Sequence, residues 1–282
     1  MIETTTNAAL RAEVARLRAQ GKRIAFVPTM GNLHAGHRRL MEEARRYADA
    51  VVASVYVNPL QFGPKEDFAT YPRTPAEDRA LLSATGVEIL YTPTESEMYP
   101  RGRERHTQVE VPGLGEILCG AFRPGHFRGV ATVVARLFHL VAPDVALFGK
   151  KDYQQLMIIR LMAEDLGIPI EIVGVDIVRE RDGLALSSRN SYLSAEERRI
   201  APTLYKTLVR AHDDLKSRPS VPAVEETATA ALKAAGFRPD YVSVRRQADL
   251  AAPVAGDTRL VVLAAAWLGR TRLIDNLEVD LA

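Results

Sequence analysis

Ile24-Ala25-Phe26-Val27-Pro28-Thr29-Met30-Gly31-Asn32-Leu33-His34-Ala35-Gly36-His37 sets the grammar of the whole chain. Its first four residues are apolar and stop at Pro28, the pattern of a short buried strand. Thr29 to Asn32 is turn-like, and Leu40, Met41 and Ala44 then recur at helical spacing. Val51 to Val57 is a second β-branched run, halted by Asn58 and Pro59. Strand, glycine-containing turn, helix and strand in this order make a βαβ unit. Such units build a parallel sheet whose ligands sit beyond the carboxyl ends of its strands.

The alternation extends in both directions. Upstream, Leu10, Val14 and Leu17 predict a helix that stops at Gly21. Downstream, Pro75–Thr85 predicts a helix closed by Gly86, and Val87–Tyr91 a strand. Val130–Leu140 predicts a helix, Val145–Phe148 a strand ending at Gly149, and Tyr153–Leu166 a helix ending at Gly167. A further strand is expected over Ile170–Val178. The pattern then changes. Helical stretches at Ala195–Leu215 and Val224–Ala235 precede strands at Tyr241–Val244 and Leu260–Leu268 with no helix between them. The expectation is an α/β chain: a Rossmann-like parallel sheet domain over residues 1–177, then a smaller α+β lid domain over residues 178–282.

Composition narrows the class. Of 282 residues, 47% are hydrophobic and 26% charged, which suits a folded globule rather than a disordered chain. Thirty-seven basic against 35 acidic residues leave a net charge of +2, too small a surplus for a protein that coats nucleic acid. One cysteine, Cys119, excludes an internal disulfide and any multi-thiolate zinc site. Met1 to Asn7 is polar and lacks the apolar core of a signal peptide. The longest apolar run, Leu260–Leu268, lies between Arg259 and Arg270 and is too short to span a bilayer. A soluble, cytoplasmic protein is expected, with neither membrane nor nucleic acid as partner.

Four polar segments carry candidate chemistry. His34 and His37 are three apart and share a face of a helix's first turn, where free N–H groups suit phosphate and Gly36 allows close approach. The alternatives are a zinc pair lacking its remaining ligands, or two half-buried structural histidines. Gln61, in Val57–Gly63, offers a donor and an acceptor to a small ligand, or else faces water at a loop tip. Gly149-Lys150-Lys151-Asp152 opens a helix after a strand, a phosphate-friendly arrangement that is not a Walker A loop. Either lysine could equally be a solvated charge, and Asp152 could hold a ribose, organise Mg²⁺ or cap the helix. Leu186-Ser187-Ser188-Arg189 could clasp a triphosphate or form a Ser-rich linker. Between these lies Leu118–Gly129, rich in Gly, Arg and aromatics like a substrate-lining loop, though its charges could be surface.

Read in order, PTMGNLHAGH, VYVNPLQFG, YPRTP at Tyr71–Pro75, CGAFRPGHFRGV, FGKKDYQQL and LALSSRNSYL resemble the pantothenate synthetase (pantoate–β-alanine ligase) family. The HxGH block alone is shared with the wider nucleotidylyltransferase and class I aminoacyl-tRNA synthetase superfamily; the set, from Pro28 to Leu193, is specific. The resemblance implies a two-step reaction. ATP and (R)-pantoate give pantoyl-adenylate and pyrophosphate, and β-alanine then displaces AMP to give pantothenate. No enzyme nucleophile is required, in keeping with the lack of a persuasive Ser/His/Asp or Cys/His set.

By the same resemblance, Met30, Gly31, Asn32, Leu33, His34, Ala35, Gly36 and His37 bind ATP. Gly149, Lys150, Lys151, Asp152, Val178, Leu186, Ser187, Ser188 and Arg189 are implied nucleotide contacts too. The catalytic set is His34, His37, Lys151 and Arg189, with His37 the proton donor. Gln61 and Gln155 hold pantoate, Gln61 also meets β-alanine, and Glu77 and Asp78 neighbour Mg²⁺. A homodimer is implied. Rival readings are another HxGH nucleotidylyltransferase, which would not release AMP as net product, an aminoacyl-tRNA synthetase fragment, and a nucleotide-binding module that does no chemistry.

Overall fold

The computed structural model describes residues 1–64, 66–217 and 220–281. The chain forms two compact units, residues 1–150 with 155–176, and residues 151–154 with 177–282. In the first unit six strands are defined: β1 (Ile2–Thr4), β2 (Ile24–Thr29), β3 (Ala50–Val55), β4 (Ile89–Tyr91), β5 (Val145–Gly149) and β6 (Glu171–Val175). Among the described residues they make one sheet in the order β1-β4-β3-β2-β5-β6, parallel throughout. The central strands are buried almost end to end, as when helices cover both faces. The helices of this part of the chain are α1 (Asn7–Ala19), α2 (Ala35–Ala44), α3 (Pro75–Ala84), α4 (Glu95–Met98), α5 (Cys119–Phe122), α6 (His126–Val141) and α7 (Tyr153–Asp165). Val27, Met41, Val51, Leu82, Leu90 and Leu147 meet in one core on a face of the sheet. Phe26, Phe138 and Phe148 stack edge to face in sequence, with centroids 6.5 and 6.3 Å apart.

The strand order places the switch of direction beside β2, with β3 on one side and β5 on the other. Pro28 lies inside β2 and has no N–H to give a neighbour. The β2–β5 ladder accordingly registers only Ala25 with Val145 and Phe26 with Ala146. Beyond Phe26 the two strands are free to part, and that is the end of the sheet where ligands of such folds bind.

Asp144 ties the opposite end together. It accepts from both Arg18 Nη1 (2.9 and 2.6 Å) and the Ile24 amide (2.6 Å). Burial would raise its carboxyl, but the Arg18 and Ile24 hydrogen bonds outweigh that and hold it below the usual carboxylate range. A depressed folded-state pKa stabilises above the unfolded value and is lost as pH falls through the folded one. Asp144→Ala is therefore expected to lower unfolding free energy by about 1 kcal/mol at pH 7, reduced for partial exposure. The deficit should shrink towards pH 3 in urea titrations; a deficit independent of pH would contradict the ionic latch.

The second unit holds α8 (Ala195–Ile200), α9 (Thr203–Lys216), α10 (Val221–Ala234) and strands β7 (Arg238–Arg246), β8 (Arg259–Leu268) and β9 (Thr271–Asp280). The strands pair antiparallel in the order β7-β8-β9, with Leu204, Leu208, Leu232, Val262 and Ala264 in the core beneath the helices. Three details depart from the periodicity. The single helix expected over Ala195–Leu215 is two, because Pro202 supplies no N–H to the turn before it. β9 is not signalled by an apolar run, since Arg272, Asp275, Asn276 and Glu278 interrupt it, and Gly269 (φ 55°) makes the tight reversal from β8. β1 is three residues in a polar stretch, too short for any period, and is held by pairing Ile2 with Ile89. No helix among the described residues is long and apolar enough to cross a membrane.

Candidate active site

The candidate residues fall into one set in each unit. In the first, the parallel sheet carries the segments after β2, β3 and β5 to one edge. Between β2 and α2 the backbone passes through two left-handed residues, Gly31 (φ 84°) and Asn32 (φ 50°). Glycine at 31 is demanded twice over. A Cβ there would also lie 2.9 Å from Asp78 Oδ2 and 3.0 Å from a Val55 methyl.

The amides of this turn have acceptors inside the protein. Gly31 N–H donates to Thr29 Oγ1 (3.3 Å), Asn32 N–H to Asp78 Oδ2 (3.0 Å) and Leu33 N–H to Asp78 Oδ1 (2.7 Å). His34 N–H donates to His37 Nδ1 and Gly36 N–H to His34 Nδ1, each at 3.2 Å. This is a reciprocal capping box built from two imidazoles, whose ring centroids are 4.2 Å apart. The expectation of free backbone N–H groups for phosphate is thus replaced at these five amides by internal bonds. With Nδ1 of each accepting an N–H, the proton of the neutral imidazole belongs on Nε2.

Gln61, on a 3₁₀ turn over Pro59–Gln61, is buried rather than facing water. Its amide donates to Met30 Sδ (2.9 Å) and its Oε1 accepts from Asn58 Nδ2 (3.2 Å), which links the turns after β2 and β3. Asn58 is a residue that sequence reasoning missed. It also donates to Gly129 O (3.1 Å) and accepts from the Tyr99 hydroxyl (2.7 Å). Gly129 has no side chain because a Cβ would run into Leu60 O, so α6 can approach the Gln61 turn only with glycine there.

Within the Leu118–Gly129 segment Arg128 is exposed, but Arg123 and His126 are engaged with the Gln61 turn. Arg123 pairs with both oxygens of Glu66 (2.7 and 2.5 Å) and reaches Gln61 O (3.3 Å), while His126 Nδ1–H donates to the same carbonyl at 2.7 Å. Burial works to raise the Glu66 carboxyl, yet the Arg123 hydrogen bond and charge bring it below the ordinary value. Glu66 and Arg123 are 57 residues apart, and no local pattern pairs them.

Glu77 and Asp78, adjacent on α3, point apart: Glu77 is exposed and Asp78 is 3% exposed. Asp78 is occupied by two backbone amides and the Thr74 hydroxyl (3.2 Å). These two carboxylates do not compose a metal cage. Among the described residues no group of three or more His, Cys, Asp or Glu side chains is placed to hold an ion. After β5, a Cβ on Gly149 would meet nothing within 4 Å, and Lys150 pairs with Asp176 at 2.9 Å. Gln155, in α7, is half-buried.

In the second unit Val178 and Leu186 meet through a Leu186 N–H bond to Val178 O (3.0 Å), with Arg179 bridged to Ala185. Ser187 caps a short 3₁₀ turn over Ser188–Tyr192, its Oγ accepting from Arg189 N–H at 3.3 Å. Lys151, Ser187, Asn190 and Asp275 line one small cavity, and Lys151 O accepts from Asn276 Nδ2 (2.9 Å). Asp152 is half-buried, 3.9 Å from the Lys151 ammonium. Beneath them Asp275 is bidentate to Arg179 (2.6 and 2.9 Å), whose guanidinium also lies 3.7 Å from the Tyr205 ring centre. None of β9's contribution was visible beforehand.

Comparison with known proteins gives the family and the fold. The family described as pantoate-beta-alanine ligase matches residues 3–278. The chain belongs to that family. A pantothenate synthetase of Shewanella loihica is 55% identical over 282 residues, covering both chains completely. The crystal structure of pantothenate synthetase from Thermus thermophilus superposes with a TM-score of 0.93 at 49% identity, covering 99% of this chain and 100% of that one. A pantoate-beta-alanine ligase from Francisella tularensis, complexed with beta-gamma ATP and beta-alanine, has a TM-score of 0.83 at 32% identity, with 98% and 97% covered.

Proposed function

We propose that this protein joins (R)-pantoate to β-alanine at the expense of ATP, through a pantoyl-adenylate, releasing pyrophosphate and AMP. One observation carries the reading: the two imidazoles of the capping box each give Nδ1 to a backbone amide, which puts a proton on each Nε2 beside a glycine turn. In the first step a pantoate carboxylate oxygen attacks the α-phosphorus, and the α–β bridging oxygen leaves with its bonding electrons on pyrophosphate. Negative charge grows on the phosphate oxygens, where fixed neutral donors stabilise it without reorganising. His34 and His37 are assigned that role, with His37 giving hydrogen-bond or acid assistance. Gln61, fixed on both sides by Asn58 and Met30, is assigned to pantoate and β-alanine, with Gln155 as its second pantoate contact. In the second step the β-alanine amine attacks the acyl carbon, AMP departs, and the amine proton passes to solvent.

Gly149, Lys150, Asp152, Val178 and the loop from Leu186 to Arg189 are assigned to the nucleotide, and Lys151 to its phosphates. Mg²⁺ belongs in this reading to the nucleotide, arriving as MgATP, since Glu77 and Asp78 do not supply a cage. A cytoplasmic homodimer is also proposed, and sedimentation of the purified protein reads its mass.

The test is pyrophosphate and AMP release from MgATP with D-pantoate, with and without β-alanine. Pantoate-dependent pyrophosphate, with AMP and pantothenate appearing only once β-alanine is added, is the expected result. No pantoate-dependent pyrophosphate from folded, ATP-binding protein would remove the ligase reading, and a dinucleotide product would favour a nucleotidylyltransferase. Lys151→Ala is expected to raise the KM for ATP and slow single-turnover adenylate formation by about 10-fold or more, as for loss of a charged phosphate contact. Unaltered adenylate formation would reject the Lys151 assignment.

A further inference from the structure

We infer that Asp78 is a positioning residue that sets the shape of the two-histidine turn, and that it is not a ligand of Mg²⁺. The inference rests on the proposed ATP reaction for its kinetic consequences and on the geometry alone for its structural ones. Asp78 is buried, in the first turn of α3, and its two oxygens face the backbone between β2 and α2. One oxygen takes the Asn32 amide and the other the Leu33 amide, with the Thr74 hydroxyl completing the set. Gly31 and Asn32 both have positive φ, and this turn brings two consecutive amides onto one carboxylate. Asn32 is not glycine, so its left-handed backbone needs support, and charge-assisted hydrogen bonds on either side of it supply that. Gly31 completes the fit from below, since any Cβ would press on Asp78 Oδ2.

The consequence reaches the histidines through the chain itself. The amide after Leu33 is His34 N–H, which His37 Nδ1 accepts, and the next turn gives Gly36 N–H to His34 Nδ1. Asp78 therefore fixes the two residues immediately before the capping box and, through them, the direction of both Nε2–H donors. A carboxylate already surrounded by two amides and a hydroxyl has little left to offer a cation that demands several well-placed oxygens.

The experiment compares wild type with Asp78→Asn and Gly31→Ala. Asparagine keeps the size but turns one acceptor into a donor facing an amide; alanine at 31 pushes the turn off an intact carboxylate. Both variants are expected to raise the KM for ATP at least 10-fold and lower kcat about 10-fold. The Mg²⁺ concentration for half-maximal activity at saturating ATP should be unchanged. In ¹⁵N-imidazole spectra, wild-type His34 and His37 should report the Nε2–H tautomer, and the variants a mixture.

A raised Mg²⁺ requirement with wild-type tautomers in Asp78→Asn would overturn the inference in favour of a metal role. Wild-type kinetics in that variant would overturn it outright. If Asp78→Asn does not fold, Thr74→Val decides: it takes away the hydroxyl that donates to Asp78 Oδ1 and leaves every residue assigned to the nucleotide in place. A raised KM for ATP with mixed tautomers then supports the inference, and wild-type kinetics and tautomers, or a raised Mg²⁺ requirement, overturn it. Should wild type itself release no pantoate-dependent pyrophosphate, the ligase reading fails, and the tautomer spectra still test Asp78.

Discussion

His37→Asn should lower turnover by roughly 10²-fold or more while leaving the fold close to wild-type stability. Asparagine can still present an oxygen to the His34 amide and so keep the cap, but it carries nothing at the position of Nε2. His37→Ala should show the same kinetic loss and also cost about 1 kcal/mol of stability, the typical value of a helix cap. His37→Gln makes the opposite trade: it restores a donor near Nε2 and abandons the cap. Steady-state kinetics and chemical denaturation on the three variants separate the two functions of one ring. Wild-type turnover in His37→Asn would show that Nε2–H does not act on the phosphates.

Removing Arg179 should be the most damaging single change to stability. Arg179→Ala would leave the Asp275 carboxylate, 2% exposed at the side chain, without its bidentate partner. Breaking a buried ion pair from one side costs about 3–5 kcal/mol, because a desolvated charge is left alone. Losing the guanidinium stacked over Tyr205 adds to that. Burial already pushes the Asp275 carboxyl above the ordinary range, against the opposing pull of Arg179. In the variant the shift must increase. A group whose folded pKa exceeds its unfolded value stabilises at low pH and ceases to do so as pH rises through the folded value. The stability difference between wild type and Arg179→Ala should therefore widen from pH 4 to pH 8 in urea denaturation. Combining Arg179→Met with Asp275→Asn should recover much of the loss by removing both charges. A cost under about 1 kcal/mol, or one that narrows with pH, would show that Asp275 is not a desolvated, ionised partner.

Much of this protein is legible in its sequence. The continuous apolar runs at Ile24–Val27 and Val51–Val57 and the helical spacing of Leu40–Ala44 are local signals, and the two strands and the helix they indicate are present. Their order forces parallel pairing, and parallel pairing puts the segments after β2, β3 and β5 at one edge. The expected switch to α+β also holds, since the three-stranded antiparallel sheet of the second unit is covered by α9 and α10. What failed locally did so for local reasons: Pro202 split a helix, and the polar residues of β9 disguised a strand.

The sequence by itself determined the fold class and the residue types that parallel pairing gathers at one edge of the sheet, because these follow from short-range periodicity and chain order. Only the tertiary structure decided what those residues touch. It assigned the turn's amides to Thr29, Asp78 and the histidines, buried Gln61 between Asn58 and Met30, and joined Arg123 to Glu66 and Arg179 to Asp275. Several of these partners lie 31 to 96 residues apart. A hydrogen bond depends on ångström-scale placement of two side chains, which packing of the whole core sets, and no pattern along the chain encodes that distance.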